Sequence, residues 1–244
     1  MIITVAIQKG GTGKSTTAAA LAQAAVHAGR SVLAIDTDPQ GNLSFTLGAD
    51  TGRAGSYDLL TGSDPAQLIQ RSAQGMDVIP ASWNLSTVTT GRGSARRLQA
   101  ALKPLKGMYD YLIIDTPPTA GELQYNALQA ADRLLIPLQA DIYNLQSLYQ
   151  ITGTAQQIQA SNPALTIAGY ILTQYDGRST IARQMKDTIE AKAGGMGVRY
   201  LGAIRAAVAV REAAALQRSL YDYAPKSKPA QDYMELFNTI EREG

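Results

Sequence analysis

Eight residues near the start of the chain, Lys9-Gly10-Gly11-Thr12-Gly13-Lys14-Ser15-Thr16, constrain its fold more than any other feature. They lie between an apolar run, Ile2–Ile7, and an alanine-rich stretch, Gly13–Ala28, that reads as a helix. A strand that enters a glycine-rich turn and leaves it as a helix is the setting in which such a loop holds phosphate. Glycines let backbone N–H groups curl around an anion, and the helix aims its unpaired N-terminal donors at the same point. Lys14 supplies a mobile cation for β- and γ-phosphates, and the Ser15 hydroxyl is a ligand for Mg²⁺.

The rest of the chain alternates short apolar runs with helical stretches, which predicts βα units. The fold expected is α/β, a doubly wound, mostly parallel sheet flanked by helices, in one domain over residues 1–244. Strands are expected at Ser31–Asp36, Asp77–Pro80, Tyr111–Asp115, Leu134–Leu138, Thr166–Thr173 and Arg199–Ile204. Helices are expected at Ser94–Leu105, Asn144–Ile158, Thr180–Ala193, Val208–Gln217 and Pro229–Glu241, with Gly48–Gly62 irregular.

Two expected strands end in aspartate. In a parallel sheet the strand C-termini gather at the ligand edge. Asp38, in Asp36-Thr37-Asp38-Pro39-Gln40-Gly41-Asn42, then falls near the γ-phosphate, where a carboxylate orients an attacking water or holds the metal's water shell. Asp115 closes Tyr111-Leu-Ile-Ile-Asp115 and reads as the carboxylate that binds Mg²⁺, directly or through water. Pro117 and Pro118 stiffen the turn that follows and present the next helix near the γ-phosphate.

Composition sets the outer bounds. The 244 residues are 45% hydrophobic, enough for a sizeable core, and the net charge of +2 rules out nucleic-acid binding by bulk charge alone while leaving room for a local basic patch. With no cysteine, the chain makes no disulfide, thiolate metal site or iron–sulfur cluster, which fits a reducing cytoplasm. The single histidine, His27, excludes mechanisms that need two and suits a surface or capping role. No export signal is visible, and no apolar stretch approaches the roughly 20 residues of a membrane helix.

Taken together, the lysine-led phosphate loop, the Asp38 string and the Asp115 strand resemble the ParA/MinD superfamily of deviant Walker A ATPases, and the ParA-type partition ATPases in particular. Tyr221-Asp222-Tyr223-Ala224-Pro225-Lys226 and Thr173-Gln174-Tyr175-Asp176-Gly177-Arg178 resemble that branch as well. The resemblance implies ATP and Mg²⁺ bound at Lys9–Thr16, with Gln174 and Tyr175 near the adenine. It implies that Lys9 reaches across a homodimer to the partner's phosphates, and that Asp38, Lys9 and Lys14 carry slow ATP hydrolysis. It further implies ATP-gated, nonspecific binding of double-stranded DNA, stimulation by a small centromere-binding protein, and a cytoplasmic, nucleoid-associated location. Because the chain starts on its first strand, the N-terminal DNA-binding extension of some plasmid relatives is not expected.

One departure stands out. Aligned on Glu212-Ala213, the position where chromosomal relatives use an arginine on DNA is Ala209. Arg205 and Arg211 are the substitutes at hand. With Arg178, Arg183, Lys186 and Arg218 they form a basic surplus suited to binding phosphates without reading bases. Arg211 and Arg218 are expected on one helical face, about two turns apart. Two other readings share the nucleotide site: an ATPase that positions a protein cargo, and a membrane-cycling ATPase like MinD. The latter needs a basic amphipathic tail, but the last helix carries Asp232, Glu235, Glu241 and Glu243.

Overall fold

The computed structural model describes residues 1–88 and 94–243. Its eight strands are β1 (Ile2–Val5), β2 (Val32–Asp36), β3 (Gln70–Arg71), β4 (Asp77–Ile79), β5 (Tyr111–Asp115), β6 (Arg133–Leu138), β7 (Thr166–Tyr175) and β8 (Tyr200–Arg205). They form one sheet in the order β3-β4-β2-β5-β1-β6-β7-β8. Every pairing is parallel except β3 with β4. The expected doubly wound, mostly parallel sheet is therefore present. Its central strands are buried on both faces, which is why they read as unbroken apolar runs rather than alternating ones.

Ten helices flank the sheet among the described residues: α1 (Lys14–His27), α2 (Asn42–Thr46), α3 (Ser56–Thr61), α4 (Arg97–Ala101), α5 (Glu122–Ala130), α6 (Tyr143–Gln159), α7 (Thr180–Gly195), α8 (Val208–Ala215), α9 (Leu220–Tyr223) and α10 (Lys228–Arg242). Alanine dominates α1 because the helix is enclosed. Ala18–Ala20, Ala22, Ala24 and Ala25 are all buried in the core cluster that includes Tyr233 and Phe237 of α10. Small side chains let backbones approach closely there. At its end, Gly29 takes φ 80° and the Arg30 N–H returns to the Ala25 carbonyl, a glycine-assisted stop.

Three expectations are corrected. Ser94–Leu105 is not one helix: only Arg97–Ala101 is α-helical, flanked by tight turns, and Pro104 in the second turn has no N–H with which to continue the ladder. Gly48–Gly62 is not wholly irregular, because α3 forms inside it. The Asp58 carboxylate caps the Gly55 N–H at 2.9 Å, and Gly62 ends the helix at φ 106°. Finally, α8 stops at Ala215. Gln217 adopts φ 51°, and the Arg218 N–H bonds back to Ala213 at 2.9 Å. Arg218 thus lies past the helix end and does not share a helical face with Arg211.

Candidate functional site

Strand register builds the site. Val5 pairs with Asp115, and Asp115 with Asp36, so three neighbouring strands end at one level with two carboxylates side by side. The turn after β1 needs positive φ at Gly11 (75°) and Gly13 (85°), the region in which glycine costs least. Side chains from the ends of β6 and β7 fasten this loop by its carbonyls. Gln139 donates to Gly11 at 3.0 Å, Thr173 to Thr12 at 2.7 Å, and Gln174 to Gly11 at 3.4 Å.

The charges inside are short of partners. Lys14 is buried and donates to the Lys9 carbonyl at 2.7 Å rather than to a carboxylate. Burial lowers its pKa, opposed by the charges of Asp115 and Asp38. Asp115 is fully buried, and neither carboxylate oxygen has a hydrogen-bond partner. Burial, and next the charge of Asp36, push its pKa well up; Ser15 and Lys14 work the other way. Asp36 accepts from the Ser44 N–H at 2.8 Å, the Ser44 hydroxyl at 2.7 Å and the Asp38 N–H at 3.1 Å. Burial nevertheless raises it to about 6. Asp38, also buried, accepts from the Gln40 N–H at 3.0 Å.

A buried carboxylate left without donors costs free energy unless it is protonated or meets a cation. The Asp115 oxygens, next to the Ser15 hydroxyl, fit a hard divalent ion. No group of three His, Cys, Asp or Glu among the described residues could cage a metal alone. Mg²⁺ takes one or two protein oxygens and completes its shell with phosphate and water, and Ser15 and Asp115 supply oxygens of that kind.

The cavity above these groups measures about 770 Å³. Every expected loop residue from Gly10 to Thr16 lines it except Thr12, which is buried beneath. Asp38 and Gln174 line it too, whereas Tyr175 does not. Sequence reasoning missed the opposite wall: the connector Arg205–Val208, then Val210 and Ala214 of α8, Phe45 of α2 and Tyr233 of α10. Alanines and valines carry no motif, so only the fold could bring that wall into view.

Lys9 lies outside the cavity. Its ammonium is 3.1 Å from both Asp141 oxygens and 5.7 Å from the Tyr143 ring centre. The expected DNA residues are variously engaged. Arg178 pairs with Asp176, Lys186 with Glu190, and Arg205 with Asp232. Arg183 donates to the Gly177 and Arg178 carbonyls. Arg218 lies over the Tyr223 ring at 5.6 Å. Arg211 is exposed and lines the cavity.

Comparison with known proteins agrees with this geometry. A family model described as an AAA domain matches residues 1–167. The chromosome partitioning protein ParA of Caulobacter vibrioides is 37% identical over 250 residues, covering 98% of this chain and 93% of its own. The sporulation initiation inhibitor protein Soj of Bacillus subtilis is 34% identical over 254 residues, covering 100% and 99%. Among solved structures, cobyrinic acid a,c-diamide synthase from Mycobacterium smegmatis, with a bound ATP analogue and magnesium, superposes with a TM-score of 0.86 at 31% identity, covering 99% of this chain and 94% of that one. The phosphate loop, the paired strand-end carboxylates and this full-length similarity together make the chain a member of the ParA/Soj family of partition ATPases, within the ParA/MinD superfamily.

Proposed function

We propose that this protein is an ATP-dependent partition ATPase that closes as a dimer around ATP, binds DNA nonspecifically in that state, and lets go on slow, partner-stimulated hydrolysis. The observation that carries the reading is Asp115, a fully buried carboxylate with both oxygens unpartnered at the foot of a phosphate loop. The structural relative with an ATP analogue and magnesium supports the choice of ligand.

In this mechanism Lys14 leaves the Lys9 carbonyl for the β- and γ-phosphates, and the Gly10–Thr16 backbone holds the remaining phosphate oxygens. Ser15 and Asp115 hold Mg²⁺, which neutralises charge on those phosphates. Asp38 orients water toward the γ-phosphate. Gln174 lies at the adenosine end, while Tyr175 packs against the core cluster that includes Tyr170 and Leu172.

Lys9 of each protomer contacts the partner's nucleotide. To do so it must leave Asp141, so the ion pair sets a threshold for dimer closure. Exposed Tyr143, whose ring centre is 5.7 Å from the Lys9 ammonium, its neighbour Ile142 and Tyr149 further along α6 offer an apolar face to a second copy. The two protomers then present their basic residues, Arg178, Arg183, Lys186, Arg205, Arg211 and Arg218 among them, as one surface for duplex DNA in the cytoplasm. A small centromere-binding protein is the stimulating partner implied by the family. No helix among the described residues is long and apolar enough to cross a membrane.

Asp38→Ala tests the reading directly. With the phosphate cradle intact and water mispositioned, the variant should accumulate as an ATP-bound dimer in analytical ultracentrifugation. Its phosphate release should fall by about a hundredfold, the range for loss of a positioned acid–base group. Lys14→Ala, lacking the phosphate cation, should form no such dimer. Hydrolysis at the wild-type rate by Asp38→Ala would remove Asp38 from the mechanism.

A further inference from the structure

One side chain outside the nucleotide cavity ties together three of the helices that border it, α1, α2 and α8. Gln74 lies in the turn between β3 and β4. The turn is tight: the Gly75 N–H bonds to Ser72 at 3.1 Å, the Ser72 N–H to Met76 at 2.9 Å, and Gly75 takes φ 87°. The Gln74 N–H is fixed on the Ser72 hydroxyl at 3.1 Å, so the side chain leaves the turn in a set direction.

Its carboxamide is fully used. Nε2 donates to the Thr46 carbonyl at 2.7 Å and to the Gln217 carbonyl at 3.0 Å. Oε1 accepts from Gln23 Nε2 at 2.8 Å, and Gln23 Oε1 accepts from the Leu220 N–H at 3.1 Å. Thr46 is the last residue of α2, Gln217 follows the end of α8, and Gln23 belongs to α1. These are the helices that supply Phe45 and Thr46, Val210 and Arg211, and Lys14 and Ser15 to the cavity. A second strut, the Ser72 hydroxyl on the Leu47 carbonyl at 2.6 Å, holds the same end of α2.

We propose that Gln74 is a positioning residue that sets the separation of the α2 and α8 walls against α1, and through that separation the residence time of the bound nucleotide. It does not line the cavity and acts only through these helices. A glutamine suits the role because two N–H groups can bridge two carbonyls while the oxygen takes a third partner. Glutamate in its place would set a carboxylate oxygen against one or both carbonyls. The proposal rests on the reading of the cavity as the ATP site.

The test measures dissociation of a fluorescent ATP analogue by stopped flow, with Mg²⁺ present, beside the melting temperature of each variant. Gln74→Glu and Gln74→Leu should release the analogue about five- to tenfold faster, the factor that one net hydrogen bond corresponds to. Association rates and the per-site turnover at saturation should change far less. Gln23→Leu should act in the same direction, and the Gln23→Leu/Gln74→Leu pair should be no worse than Gln74→Leu alone, because the two side chains work as one strut. Tyr109→Phe is the control for stability alone. It deletes a 2.7 Å hydrogen bond to Asp77, the first residue of β4, and leaves every contact of the Gln74 carboxamide in place. Wild-type release rates in both Gln74 variants would overturn the proposal. So would equally fast release from Tyr109→Phe at a matched melting temperature. A wild-type protein that binds no analogue would overturn the ATP reading and this inference with it.

Discussion

Asp36 and Asp115 show how a register decision becomes chemistry. Each was legible as an aspartate at the end of an apolar run, but their adjacency was not, because pairing between strands 79 residues apart leaves no local trace. Side by side and buried, both hold a proton more tightly than a free aspartate does. For Asp36 the folded value of about 6 stands above the 3.8 of an unperturbed chain. The folded protein without nucleotide then binds more protons than the unfolded chain between those values. Stability from this group is present below pH 3.8 and is lost as pH rises toward 6. The Asp115 shift has the same sign. A bound cation favours the carboxylates, so binding of preformed MgATP near pH 6 should release protons. Calorimetry in two buffers of different ionisation enthalpy measures that release, and Asp36→Asn should reduce it. Proton uptake instead would contradict the assignment of these carboxylates to the cation's surroundings.

At the scale of elements, the long periodic segments were legible and the short ones were not. The buried strands and α1, α6, α7 and α10 follow from unbroken apolar runs or helical periodicity. The five-residue α2, the six-residue α3 and the two-residue β3 depend on contacts made elsewhere. α2, for example, is held where the Asp36 carboxylate meets the Ser44 N–H and hydroxyl. Basic residues were legible by type but not by engagement. Arg205 counted in the sequence as a DNA contact, yet its Nε bonds both oxygens of Asp232, at 3.0 and 2.9 Å, joining β8 to α10. Asp232 retains only 9% side-chain exposure. Arg205→Ala should therefore lower the melting temperature by several degrees, because it strands a nearly buried carboxylate. Asp232→Asn in the same background should recover part of the loss. A melting temperature unchanged in Arg205→Ala would show that the pair adds no stability and leave this arginine with the DNA surface alone.

For the molecule as a whole, the nucleotide site was legible because its motif carries its own physics: a strand, a glycine turn and a helix N-terminus aimed at one point. The far wall of the cavity was not, since Ala206, Ala207 and Val208 acquire a role only by position. The same asymmetry holds for DNA. A net charge of +2 gives one copy little hold on a polyanion, whereas a dimer doubles the phosphate contacts. Each neutralised phosphate adds about 0.9 to the log–log salt slope. The central claim, that ATP gates DNA through dimer closure, is tested most directly by measuring affinity for nonspecific duplex DNA against salt, with and without MgATP, in wild type and in Lys9→Ala. Wild type should bind only with MgATP and with a steep salt slope, while Lys9→Ala should still take up nucleotide and fail to bind DNA. Equal DNA binding by the two proteins, or wild-type binding indifferent to ATP, would contradict the account.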